Sequence, residues 1–159
     1  MTLRIRPYAA SDAAPTLAVF LRAIRTTASA DYSAEQVAVW APDDLDPSAW
    51  DERRRARNTA VAESDGGVVG FTDVDDTGYV DMMYVDPAAG RRGVASALLE
   101  WAAEEAANAG ADRLHTHASI TARPFFEAHG FRVDAVRHPV QNGLVFENYA
   151  MSRALPRPE

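Results

Sequence analysis

The sequence predicts an α+β fold, a mixed and mostly antiparallel central sheet flanked by helices, in a single domain over residues 3–155. Three observations predict it. Strand-like runs follow closely through "TAVAES", "GVVGFTDVD" and "GYVDMMYV", with turn residues at Asp65-Gly66 and at 76–78, as in an antiparallel meander. A long alanine-rich helical stretch then leads to a further strand-like run, "DRLHTHAS", and a helical crossover of this kind makes the strands on either side parallel. The last pair, "FRVDAVRHPV" and "LVFENYAMSRAL", is joined by Gln141, Asn142 and Gly143, where Asn-Gly is a strong hairpin signal.

In chain order, "TLRIRPY" alternates as a first strand, and Ser11 and Asp12 open a helix with Leu17, Phe20, Leu21 and Ile24 near one face. Ser33 and Gln36 have capping-box spacing at the start of a helix reaching Trp40, with Glu35 in its first turn. "DERRRARN" reads as the end of another helix, its cations favourable against the dipole and its arginine run a solvated face. In the long helix, Ala95, Leu98, Leu99, Ala102, Ala106 and Ala109 form the apolar stripe, Glu100, Glu104 and Asn108 lie away from it, and Gly110 ends it. "TARPFFEAHGF" is a short helix with Pro124 in its first turn and Gly130 after its end.

The junction "DPAAGRRGVASALLEWAAEEA", residues 86–106, carries the chemistry. A helix start normally takes Ser, Asp or Glu, because its orphan N–H groups and positive dipole end favour acceptors. Here glycine and arginine stand there, and no carboxylate comes before Glu100. Such a mouth suits an external anion, and a phosphate is the natural candidate. A lone G-x-x-G also fits a loop that simply ends, with solvated arginines.

Composition excludes other chemistries. The chain has no cysteine, which removes disulfides, thiolate nucleophiles and cysteine-based zinc sites. All 16 basic residues are arginine, so Schiff bases and the lysine of P-loop nucleotide sites are excluded. The formal net charge of -7 argues against wrapping nucleic acid and suits a small cationic substrate. A helix-turn-helix reading of residues 11–40 lacks a basic recognition face. "MTLRIRPY" is neither a signal peptide nor a membrane span, and a cytoplasmic protein is expected. His115 and His117 share a strand face and could supply two metal ligands, but no third is near in sequence, so no metal is expected.

With these residues in view, the chain resembles the GNAT superfamily of acyl-CoA-dependent N-acetyltransferases. The family's acyl-CoA motif is a strand, then [Q/R]-x-x-G-x-[G/A], then a helix; here "MMYVDPAAGRRGVASALL" places Gly90, Gly93 and Ala95 at the signature positions. A second motif, N-x-x-A-x-x-x-Y-x-x-x-G-F, matches "SITARPFFEAHGF". Gly90 replaces the usual Gln or Arg, and Phe126 replaces the tyrosine that many relatives use as general acid toward the thiolate. The form "ASITARPFF" is similar to one subgroup of the family.

The resemblance implies acetyl-CoA as co-substrate and parallel strands splayed apart over 78–85 and 113–118. The pantetheine arm would then pair with backbone around Met83, Tyr84 and Val85, near Ser119 and Phe126. Backbone N–H groups from Arg91 through Arg92, Gly93 and Val94 to Ala95 could cradle the pyrophosphate, with charge assistance from Arg91 or Arg92. Asp81 occupies the strand position where relatives often carry an acid and is the candidate base; the same spacing also fits a solvent-facing aspartate. Tyr149 is the candidate general acid and Ser119 the runner-up donor. Tyr32, Trp40, Trp50 and Asp73 are acceptor-pocket candidates, since aromatics near acids suit an amine, though the tryptophans also fit a core. The expected activity is acetyl transfer to a primary amine of a small molecule or peptide, with a homodimer as a family expectation. A non-catalytic acyl-CoA-binding sensor is the alternative.

Overall fold

The computed structural model describes residues 2–156. β1 (Leu3–Pro7) leads through a 3-10 turn at Ala10–Asp12 into α1 (Ala13–Arg22), which continues as a π turn over Ala23–Thr27. α2 (Ala34–Trp40) and α3 (Pro47–Ala56) follow. Next come β2 (Asn58–Ser64), β3 (Gly67–Val74), β4 (Tyr79–Val80), β5 (Met83–Val85) and α4 (Val94–Asn108). The chain closes with β6 (Arg113–Ser119), α5 (Arg123–Ala128), β7 (Arg132–Arg137), the ribbon β8 (Val140–Gln141) and β9 (Leu144–Val145), and β10 (Asn148–Ala154).

The strands form two four-stranded sheets, β1-β2-β3-β5 and β4-β6-β10-β7, beside the small ribbon. All pairings are antiparallel except β4 with β6, as the helical crossover predicts. Both hairpin signals close two-residue turns with positive φ, at Asp65 and Gly66 and at Asn142 and Gly143, because that turn matches the twist of its strands.

"GYVDMMYV" is not one strand: Tyr79 and Val80 pair with β6, whereas Met83 to Val85 pair with β3. The chain changes sheets at Asp81 and Met82. Asp73 makes the break, its buried carboxylate accepting from the Asp81 N–H at 2.9 Å and from Arg57 at 3.0 Å.

Helix ends follow their sequence. Ser33 caps α2 by accepting from the Gln36 N–H, and the Gln36 side chain returns to the Ser33 N–H. Gly110 at φ +90° closes α4, with Ala111 donating to Ala106 and Gly110 to Ala107, the double bond of a Schellman end. Ser11 and Asp12 do not open α1, which begins at Ala13. The Asp12 carboxylate is taken instead by both terminal guanidinium nitrogens of Arg6, at 2.8 and 2.9 Å, and by the Ala9 N–H.

α4 spans both sheets. Val94 and Leu98 pack with Ala62 and Ala89, while Leu99, Ala102 and Ala106 pack with Leu114, Met151 and Phe131. Ala109, placed on this stripe by periodicity, is exposed because the helix has already ended. On the other side, Val19, Phe20 and Ile24 of the first helical segment join Trp50, Val61 and Phe71. The arginine run is likewise only partly solvated: Arg53 and Arg55 are exposed, but Arg54 is 1% exposed, its guanidinium 4.7 Å over the Trp50 ring and 4.0 Å from Asp73. Among the described residues, no helix is long and apolar enough to cross a membrane.

Candidate active site

The change of sheet opens a cleft. β4 and β6 are in register through Val80 and Thr116, after which β5 stays with β3 and β6 stays with β10. Between them lies a cavity of about 740 Å³, walled by Met82 to Val85 on one side and Thr116 to Ser119 on the other. That size falls within the ordinary range of small-molecule sites, about 300–1,000 Å³.

One end of the cleft is the mouth of α4, where Gly90 and Ala95 reach the wall. Gly93 is the N-cap, in the left-handed conformation at φ +78°, and no side chain caps the helix. Arg91 is also left-handed, at φ +64°. The left-handed Gly93 followed by the helical Val94 curls the backbone so that its N–H groups converge, a geometry suited to a phosphate. A Cβ built on Gly93 would meet nothing within 4 Å, so the approach is open. Arg91, Arg92 and Gly93 are exposed beside the cleft, while the Val94 side chain is buried and offers only its backbone.

The middle of the cleft meets α5. Ser119 accepts from the Ala122 N–H at 3.0 Å, so its hydroxyl holds the turn that leads into α5, and the residue lines the cleft. Phe126 lines the wall and packs on Phe131 with ring centroids 5.0 Å apart.

The rest of the wall is aromatic and acidic. Tyr32, Trp40, Tyr84 and Phe146 line it, with Glu147 beside Tyr32 and Asp81 at the base of the fork. The Tyr32 ring stands 5.2 Å from Trp40, and its hydroxyl donates to the Glu147 carbonyl while accepting from the Ile120 N–H. Burial pushes the phenols of Tyr32 and Tyr84 above their ordinary values, so both stay neutral.

The structure thus gathers Asp81, Met83, Tyr84, Val85, Gly90, Ala95, Ser119, Phe126, Tyr32 and Trp40 around one cavity. Arg91, Arg92, Gly93 and Val94 stand at its mouth and not in its wall, and Trp50, Asp73 and Tyr149 also stand outside the wall. Trp50 is buried between α1 and β3, its indole N–H donating to Thr16 at 3.0 Å. Asp73 lies beneath the fork and acts on it through Asp81. Tyr149 faces the core side of β10 with Phe126 and Phe131, and its hydroxyl donates to the Glu147 carboxylate. That carboxylate holds the Tyr149 phenol above its ordinary value, making it a weaker proton donor. Sequence reasoning missed Glu147 and Tyr79, both on the wall; the alternation in "GYVDMMYV" puts Tyr79 on the Asp81 face and could have found it.

His115 and His117 share a face with Tyr79, whose ring lies 5.3 and 5.5 Å from theirs. Among the described residues, no group of three His, Cys, Asp or Glu side chains could hold a metal ion.

A forked sheet with an uncapped helix start at one end of the fork makes a cleft suited to an extended ligand that carries a phosphate. Comparison with known proteins agrees: the acetyltransferase (GNAT) domain family matches residues 28–153, and the chain belongs to that family of acyl-CoA-dependent N-acetyltransferases, whose co-substrate is acetyl-CoA. It is 38% identical over 149 residues to the uncharacterized N-acetyltransferase YafP of Escherichia coli K12, covering 94% of each chain. A GCN5-related N-acetyltransferase from Rhodopseudomonas palustris superposes with a TM-score of 0.93 at 32% identity, covering 98% of this chain and 97% of that one. The PaiA N-acetyltransferase of Thermoplasma acidophilum, solved with coenzyme A, shares the fold at a TM-score of 0.78 and 16% identity, over 97% and 99% of the two chains.

Proposed function

We propose that this protein transfers the acetyl group of acetyl-CoA to a primary amine of a small molecule or peptide, with the amine entering beside Asp81. The observation that carries this is the fork itself: Met83 to Val85 face the cleft on a strand bonded only on its β3 side, which leaves backbone groups for an extended pantetheine arm. Its phosphates would meet the N–H groups of residues 91–95 at the mouth of α4. The thioester then lies near Ser119 and Phe126.

Two carboxylates and several rings on the cleft wall favour a cation, since acids concentrate positive charge and ring faces attract it. Asp81 receives the ammonium. Most of the rate would come from holding amine and thioester together in a site walled by apolar side chains. With Phe126 unable to donate and the Tyr149 hydroxyl committed to Glu147, the proton for the thiolate comes from the cleft's own polar groups or water.

Acetyl-CoA with a panel of amines (an aliphatic diamine, an arylethylamine, an amino-acid amide, a short peptide) tests this by release of free thiol. Turnover above the amine-free rate is expected for at least one of them. Acetyl-CoA binding with no thiol release from any would instead favour the sensor.

A further inference from the structure

The transfer needs a proton acceptor at the amine, and Asp81 is not the only candidate at the fork. Thr116 pairs with Val80, so the next residue on each strand, His117 and Asp81, begins one arm of the opening. Alternation along β6 buries Leu114, Thr116 and Ala118 and turns His115 and His117 to the opposite face. His117 lines the cleft beside Tyr79 and Asp81, and the Tyr79 hydroxyl is 3.3 Å from His117 Nδ1. Tyr79 in turn is fixed by the β4–β6 register and by both imidazole rings.

We propose that His117, oriented by Tyr79, is the general base of the acetyl transfer, with Asp81 holding the incoming cation. This rests on the acetyltransferase reading above. With Nδ1–H donating to the Tyr79 oxygen, Nε2 keeps its lone pair. The ammonium held at Asp81 first gives one proton to solvent; the neutral amine so formed attacks the thioester carbonyl carbon, the C–N bond forms, and the carbonyl electron pair moves to oxygen. Nε2 takes the proton from the nitrogen of this adduct, which is far more acidic than a free ammonium. The oxyanion then re-forms the carbonyl and expels the coenzyme A thiolate. The imidazolium returns the proton to that thiolate, leaving amide and thiol.

The surroundings suit the role. Burial lowers the imidazole below its ordinary 6.5, reinforced by Arg137 from β7 and His115 from β6 and opposed by Asp81. Tyr79 on β4 is a neutral phenol, and the register partner on β10 is the uncharged Ala150. The ring is therefore in its base form at neutral pH. Imidazole, at about 6.5, is also a better match for proton transfer there than a carboxylate at about 4.

The test is the pH dependence of thiol release, using acetyl-CoA and the amine of the panel that turns over fastest. The wild type should lose kcat/KM on the acid side with a midpoint below 6.5. His117→Gln should lose that limb and about 10²-fold in kcat, with acetyl-CoA binding unchanged. Added imidazole should restore part of the rate in His117→Ala, which a packing role would not allow. Tyr79→Phe should shift the limb with a smaller rate loss. Retention of the wild-type limb and rate in His117→Gln overturns the proposal, more so if Asp81→Asn abolishes them. Wild-type protein that binds acetyl-CoA but releases no thiol overturns the acetyltransferase reading first, and this one with it.

Discussion

Single residues here often serve the tertiary structure where local rules would give them other work. Asp12 stands where a helix cap is wanted, yet its carboxylate clamps Arg6 of the first strand and is 3% exposed. The side-chain hydrogen bonds from Arg6, aided by the Ala9 N–H, hold its pKa below the ordinary 3.8 against the opposing effect of burial. The folded value lies below the unfolded one, so the pair contributes fully above pH 3.8 and is lost as pH falls from there through the folded value. Asp12→Asn should therefore cost about 2 kcal/mol at neutral pH, lowering Tm by about 4–8 °C. Thermal melts of the two proteins should converge as the pH drops below 3.8, and parallel curves down to pH 2 would refute the assignment.

Among the elements, α4 separates stability from function. An acid in the first turn of an uncapped helix ordinarily adds about 0.3–1 kcal/mol through the dipole. Ala95 is the second residue of α4 and lines the cleft, so Ala95→Asp puts a carboxylate against the expected phosphates. Calorimetry should find Tm unchanged or slightly higher, while acetyl-CoA titration should find affinity reduced by about tenfold or more. The fork behaves differently, because a buried charge cluster makes it. Removing Asp73 orphans the Asp81 N–H and leaves Arg54 and Arg57 without their buried counter-charge. Asp73→Ala should cost about 3–5 kcal/mol, the usual penalty for breaking a buried ion pair. Asp73→Asn retains an acceptor for the Asp81 N–H and should cost less in urea denaturation.

For the molecule as a whole, the cleft joins parts of both sheets, so a ligand in it links them. Acetyl-CoA at about a hundredfold over its Kd should stabilise the fold by about 2.7 kcal/mol, raising Tm by about 5–10 °C. The shift should grow with ligand concentration, and a flat response would remove the coenzyme from the cleft. Free coenzyme A should act similarly, because the phosphates and pantetheine supply most of the contact.

Local chemistry made much of this legible in the sequence. The Asp65-Gly66 and Asn142-Gly143 turns, the Ser33–Gln36 box and the glycine ends at 110 and 130 are short-range signals, and each is found where its residues stand. The mouth of α4 could be read as open because capping depends on residues within one turn. Tertiary structure alone decided what depends on partners distant in sequence. Tyr79-Val80 and Met83-Tyr84-Val85 look like one strand, since alternation is blind to which neighbour each half pairs with; a carboxylate on Asp73 divides them. Arg54 belongs to a run that reads as solvated, and only the approach of Trp50 and Asp73 buries it. Tyr149 lies in the last strand, but its ring packs with Phe126 and Phe131 and its hydroxyl is held by Glu147, partners that only the register of β10 with β6 and β7 brings to it.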